Sequence, residues 1–211
     1  KALIVAINDL VPEGQSNPLK LNEYKLTPSG KWMLIYTNTK RVWRVNSRGD
    51  YWIYNTETKK LRKLGGDEAK PSTLQFAKID PTEKYVAFVR ENNLYLENLE
   101  TGKIKALTTD GSRTIINGTF DWVYEEEFSI RDGFRWSPDG KMIAFWQLDA
   151  TGVKDFLMIN NTDSLYSFTI PVQYPKAGET NSACKVGTVD ISSDQIVWMK
   201  PGDDPRNHSI P

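Results

Sequence analysis

Short runs in which every second residue is apolar recur along the chain, separated by clusters of proline, glycine, serine and aspartate. A period of two marks half-buried β-strands. Three of these runs are copies of one unit: residues 24–36 (YKLTPSGKWMLIY), 76–88 (FAKIDPTEKYVAF) and 134–145 (FRWSPDGKMIAF). Each reads as strand, tight turn, strand. Pro28, Pro81 and Pro138 preset φ at the first corner, and Gly30 and Gly140 supply a positive φ to close the turn. Glu83 stands where the other copies have glycine, which predicts a turn of a different type there.

Each unit is followed by a partner. Residues 51–64 (YWIYNTETKKLRKL) and 94–107 (LYLENLETGKIKAL) match closely, and 156–168 (FLMINNTDSLYSF) is a looser third version. Two hairpins per unit give four antiparallel strands, and units repeat every ~53 to 57 residues, a spacing that fits propeller blades. The fold class expected is therefore all-β, a partial β-propeller. Its blades are expected at residues 22–64, 74–108 and 133–172, with an incomplete fourth at 186–211. A lone blade cannot cover both its faces, so Trp32, Tyr36, Tyr85, Phe88, Trp136 and Phe145 are expected between blades. Three blades and part of another do not close a ring. The chain, which opens at Lys1 directly on an apolar run and stops at Pro211, reads as a piece of a longer protein.

One segment breaks the regularity. Residues 109–132 make an insertion of about two dozen residues where the link between the first two blades has roughly ten, and oversized loops on a regular scaffold tend to carry function. It contains DWVYEEEF, residues 121–128, in which Glu125, Glu126 and Glu127 directly follow Trp122, Val123 and Tyr124. Three adjacent carboxylates beside groups that favour burial repel one another unless a cation lies among them. The alternative is an acidic surface turn. The aromatic spacing predicts a short helix around residues 120–130, in which Glu126 and Glu127 diverge by about 100° and can grip one small cation. In an extended chain they would face opposite ways.

Composition narrows the chemistry. Among 211 residues there are 27 basic and 27 acidic side chains, so no global charge favours nucleic acid or an anionic membrane. There is one cysteine, Cys184, and one histidine, His208, which exclude a Cys/His metal centre and leave only a proline-flanked tail to supply a triad histidine. No cofactor or metal is expected. No apolar run approaches the roughly 18 residues of a membrane span. Asn117, Asn160 and Asn207 fit the glycosylation triplet, a pattern that also arises by chance.

DWVYEEEF, the WSPDGK turn, and YPKAG at residues 174–178 with Asn181 beyond it resemble the N-terminal propeller of the dipeptidyl peptidase IV family of serine peptidases. The likeness covers nearly the whole chain. It implies that Glu126 and Glu127 bind the free α-amino group of a peptide substrate, with Glu125 in a supporting place. It also implies that Arg44, in Val42–Trp43–Arg44, orients these carboxylates and meets a substrate carbonyl. A protonated amine offers three donors, which suits two carboxylates, whereas an interior amide offers one and no charge. Catalytic residues are expected in a C-terminal α/β-hydrolase domain of the same chain, since residues 1–211 contain no G-x-S-x-G elbow. The resemblance further implies release of Xaa-Pro or Xaa-Ala dipeptides, a homodimer among the partners, and a periplasmic or secreted setting in a cell envelope. Ser182 departs from the family, which often has proline there. The competing reading is a non-enzymatic propeller serving as an interaction or sensor module.

Overall fold

The computed structural model describes residues 5–200 and 202–206; His208 and the Asn207 triplet lie outside the described residues. The alternating runs form strands as expected. The first blade comprises β1 (Leu21–Leu26), β2 (Trp32–Arg41), β3 (Asn46–Asn55) and β4 (Leu61–Lys63). The second comprises β5 (Leu74–Ile79), β6 (Tyr85–Arg90), β7 (Asn93–Asn98) and β8 (Ile104–Ala106), and both are antiparallel meanders. A bridge between Gly49 and Leu74 joins them at one corner.

Burial follows the period of two on both faces. Along β6, Val86 and Phe88 enter a core with Leu74 of their own blade and Trp32, Leu34, Tyr51 and Ile53 of the first. The alternate residues Ala87 and Val89 enter a second core with Phe134, Ile143, Phe145 and Val189. Sandwiching one strand between two cores removes both its faces from water, at about 1.5–3 kcal/mol for each large side chain. Trp32, Tyr36, Tyr85, Phe88, Trp136 and Phe145 all lie in or against these two clusters, as the repeat implied. Polar clips add register. Glu97, 1% exposed, pairs with Arg62 and accepts a hydrogen bond from Gly65 N at 2.9 Å, tying the first blade to the second.

The third blade departs from expectation. After β9 (Ile115–Asn117), helix α1 (Trp122–Glu127), β10 (Phe134–Trp136) and β11 (Met142–Asp149) come β12 (Asp155–Asn160), β13 (Phe168–Gln173), β14 (Ala183–Asp190) and β15 (Ile196–Trp198). The sheet runs β10-β11-β14-β15, with β9 also on β11, while β12 and β13 pair only with each other. Blade three is therefore not residues 133–172, and residue 186 opens no fourth unit: β14 and β15 complete the third. The likeness of residues 156–168 to the other partner motifs lies in their polar turn. Their apolar side chains, Phe156 to Ile159, are 46% to 69% exposed, and of the apolar residues in that hairpin's two strands only Val172 is buried. Segment 183–190 buries Cys184 on one face, in the cluster with Tyr124, and Val189 on the other, in the cluster with Phe145, and it matches β11 from Met142↔Asp190 to Asp149↔Ala183. Gly187 lets the Trp198 indole close on the sheet, since a Cβ there would stand 2.8 Å from the ring.

The turn at Glu83 is also corrected. Gly30, Glu83 and Gly140 have φ of +77°, +58° and +70°, and each donates its N–H to the carbonyl three residues back, at 2.9, 3.0 and 3.0 Å. The turn is the same in all three. Left-handed backbone is strained for glutamate, and it is offset because the Glu83 carboxylate accepts from Ser29 N at 3.0 Å and from the Ser29 hydroxyl, bonds that reach the neighbouring blade.

Antiparallel order fixes where the irregular parts go. In a four-stranded meander the link from second to third strand and the link to the next blade leave from one end, and the other turns from the opposite end. The β2–β3 link, the insertion carrying α1 and the β12–β13 hairpin thus emerge together.

Candidate functional site

The helix forms where the sequence provides a cap. Asp121 is extended (φ −82°, ψ −177°) and its carboxylate accepts from Tyr124 N at 3.1 Å, satisfying one of the free donors of the first turn. Its other oxygen accepts from Ser182 Oγ at 2.6 Å. Tyr124 anchors the buried side, with ring centroids 5.1 Å from Phe120 and 5.4 Å from Phe128, in a cluster with Ile116, Leu148 and Cys184. Burial, aided by the neighbouring Cys184, raises the Tyr124 phenol above its ordinary pKa. Trp122 rests on Tyr174 of the YPKAG segment, centroids 4.5 Å apart. Six residues cannot hold a helix alone; these contacts do.

So mounted, the three glutamates part company. Glu125 turns inward, 5% exposed, and accepts from Arg131 Nε at 3.2 Å. Burial raises its pKa above the usual carboxylate range even though Arg131 opposes the shift. Glu126 meets Arg44: guanidinium Nε donates to Glu126 Oε2, the glutamate side chain being 7% exposed and the arginine 74%. The remaining oxygen, Glu126 Oε1, is buried and has no hydrogen-bond partner. Glu127 is exposed, and its charge adds to that of Glu126 in holding Arg44 protonated. Arg44 itself sits in a braced link, where Val42 N donates to Val45 O at 3.1 Å and Arg41 Nε to Trp43 O at 3.0 Å.

The structure thus brings Arg44 and Glu126 into contact with Glu127 beside them, and separates Glu125 into an internal pair. Charge counting is direct. Arg131 cancels Glu125 and Arg44 cancels one of the other two, which leaves about one negative charge and a partnerless carboxylate oxygen. Among the described residues, no group of three or more His, Cys, Asp or Glu could hold a metal ion, and no helix is long and apolar enough to cross a membrane.

The model of the dipeptidyl peptidase IV N-terminal region matches residues 27–210. This chain belongs to that family. A dipeptidyl-aminopeptidase B of Arthroderma gypseum is 33% identical over 195 residues, covering 83% of this chain and 21% of that protein. A dipeptidyl aminopeptidase of Schizosaccharomyces pombe is 32% identical over 199 residues, covering 90% of this chain and 25% of the relative. The crystal structure of Porphyromonas gingivalis dipeptidyl peptidase 4 superposes with a TM-score of 0.83 at 26% identity, over 94% of this chain and 28% of that one. The chain spans about a fifth to a quarter of the length of the curated relatives it matches.

Two contributions to the site went unread in the family's sequence. Ser182, a departure from the family's proline, turns out to bond the helix cap. Gln75 interrupts the apolar run Leu74–Ala77, a signal visible in the pattern, and it lines a cavity beside the site.

Proposed function

We propose that this chain is the substrate-selecting propeller region of a dipeptidyl peptidase IV-like serine exopeptidase, which removes Xaa-Pro or Xaa-Ala dipeptides from peptides with a free N-terminus. The observation that carries the reading is the Glu126 carboxylate: one oxygen pairs with Arg44, while the other is buried without a partner, next to Glu127. An unpartnered buried acceptor costs about 1–3 kcal/mol, and a ligand ammonium would recover it. Glu126 and Glu127 then clasp the substrate amine, and Arg44 keeps Glu126 in place and faces the first peptide carbonyl. An N-blocked or internal peptide segment brings no cation, so it would leave Glu126 Oε1 without a partner and the Glu127 charge uncompensated. Anchoring the amine at a fixed distance from a nucleophile sets the cut two residues in.

The nucleophile, its histidine and its aspartate belong, in this reading, to a hydrolase domain outside residues 1–211, and the chain by itself hydrolyses nothing. The enzyme would act on peptides in the cell envelope or outside the cell. In the full-length protein, Glu126→Gln and Glu127→Gln should each lower kcat/KM for an Ala-Pro chromogenic substrate by at least about tenfold, the value of one charge-assisted hydrogen bond. Wild-type rates in both variants would sink the proposal.

A further inference from the structure

The three strand–turn–strand units carry a basic residue at one equivalent place: Lys25, Lys78 and Arg135 each stand three residues before the turn proline. Their pairing is equivalent too, Lys25 facing Leu34, Lys78 facing Ala87 and Arg135 facing Ala144 on the next strand. Burial lowers the Lys78 pKa and the charges of Arg135 and Lys25 add to that effect, so the three cations lie within electrostatic reach of one another.

The two seams between blades treat this lysine differently. Between blades two and three it is answered: Lys78 pairs with Asp132 and donates to Phe134 O at 3.1 Å, while Trp136 Nε1 crosses back to Lys78 O at 3.1 Å. Between blades one and two the same place stays open. Blade two has Leu74, Gln75, Phe76 and Ala77 before Lys78 and offers no carboxylate there. Lys25 is in no ion pair among the described residues, Glu23 on its own strand included.

A cavity of about 310 Å³ occupies that open seam. Lys25 stands in its wall with Leu26, Leu34, Ile79 and Trp136, and with Pro28 and Pro81 of the turns. A second hollow of about 130 Å³ shares Lys25, Leu34 and Ala77 with it and runs on toward Tyr36 and Tyr51. Asp80 also lines the larger cavity, yet its carboxylate is committed to its own turn, accepting from Thr82 N at 2.9 Å, Lys84 N at 2.8 Å and Tyr85 N at 2.7 Å. Asp132 serves both Lys78 and Arg135. The charge without a counterpart is Lys25. Because the cavity adjoins the β1–β2 and β5–β6 turns, it lies at the opposite end of the blades from Arg44 and α1.

Ligand sites are concave and mostly apolar, with a few polar groups that fix orientation. We propose that this seam is a second ligand site, separate from the amine anchor, for a carboxylate joined to an apolar body. The body lies on Leu26, Leu34, Ile79 and Trp136, and Lys25 takes the carboxylate in the place that Asp132 fills for Lys78. The C-terminal residue of a peptide and a medium-chain organic acid share this chemistry.

Calorimetric titration of the full-length protein tests it with three probes: N-acetyl-Ala-Phe, the same dipeptide as its C-terminal amide, and octanoate. Acetylation removes the ammonium that the anchor reads. The acid should bind at least about tenfold more tightly than the amide, and Lys25→Met should bring it down to the level of the amide. Lys25 is exposed, so this variant should fold. Octanoate binding more tightly than the peptide acid assigns the site to organic acids, and the reverse order assigns it to peptide ends. Equal affinity for acid and amide, no binding of any probe, or binding undiminished in Lys25→Met overturns the proposal. Glu126→Gln should leave all three affinities unchanged; a loss there would place the probes at the anchor and overturn the second site alone.

Discussion

Arg44 and Glu126 are separated by 82 residues of sequence and share an ion pair across two blades. The pair is lopsided, an exposed cation on a nearly covered carboxylate, which marks the arginine as the movable partner. Arg44→Met should therefore reduce kcat/KM on Ala-Pro substrates by about tenfold, mostly through KM, since Glu126 loses its positioning and the first carbonyl loses a donor. Arg44→Lys should recover only part of this, because an ammonium is a point charge and not a fork. Full recovery by lysine would reduce the role of Arg44 to charge alone.

The anchor also predicts a pH limit that belongs to the substrate. A peptide α-amino group has a pKa of about 7.7–8.0, so the ligand suited to the carboxylates is lost as pH rises through that range. The value of kcat/KM should fall above about pH 8, and N-acetylated Ala-Pro substrates should not be cleaved at any pH. A profile flat to pH 9.5 in the full-length enzyme would argue that charge on the amine is not read.

Much of this was legible in the sequence because strand, turn and repeat are local. The Pro corners and period-two runs located the first two blades, and the insertion located the acidic helix. What failed was long-range pairing. Residues 156–168 share a polar turn with the other partner motifs, and nothing local reveals that β11 will instead take segment 183–190, which pairs with it along its whole length. Glu83 misled for a similar reason, as its left-handed turn is held by Ser29 on another blade. The Glu126 and Arg44 positions came from family likeness; that Glu125 would turn to Arg131, six residues on, needed the coordinates.

The cap at Asp121 joins the helix to the base of the third blade. Asp121→Ala removes the bond to Tyr124 N and strands the buried Ser182 hydroxyl, so it should lower stability by about 1–2 kcal/mol. Asp121→Asn keeps an acceptor for the cap and should cost less. Ser182→Ala, which leaves the cap intact, should cost about 1 kcal/mol. Urea unfolding midpoints order the three, and an equal cost for Asp121→Asn and Asp121→Ala would mean that charge, and not cap geometry, matters here.

Lys78 gives a prediction on stability. Its ammonium is drawn into the boundary between blades two and three, where it pairs with Asp132, donates to Phe134 O at 3.1 Å and lies 3.3 Å from the centre of the Phe134 ring. Burial outweighs the Asp132 charge and, with Arg135 and Lys25 nearby, brings its pKa down from 10.5 to about 8. The sign follows from proton counting. Between about pH 8 and 10.5 the unfolded chain holds a proton on this lysine that the folded chain has released, so this group makes folding more favourable as pH rises through that window. The full change is on the order of 3 kcal/mol. Lys78→Met should remove this rise, leaving a flatter stability profile from pH 8 to 10 and a higher unfolding midpoint near pH 7. Asp132 retains Arg135 at 2.9 Å, so no charge is left bare. Chemical denaturation of wild type and variant across that range decides it; parallel profiles would show that the Lys78 ammonium stays charged in the folded state.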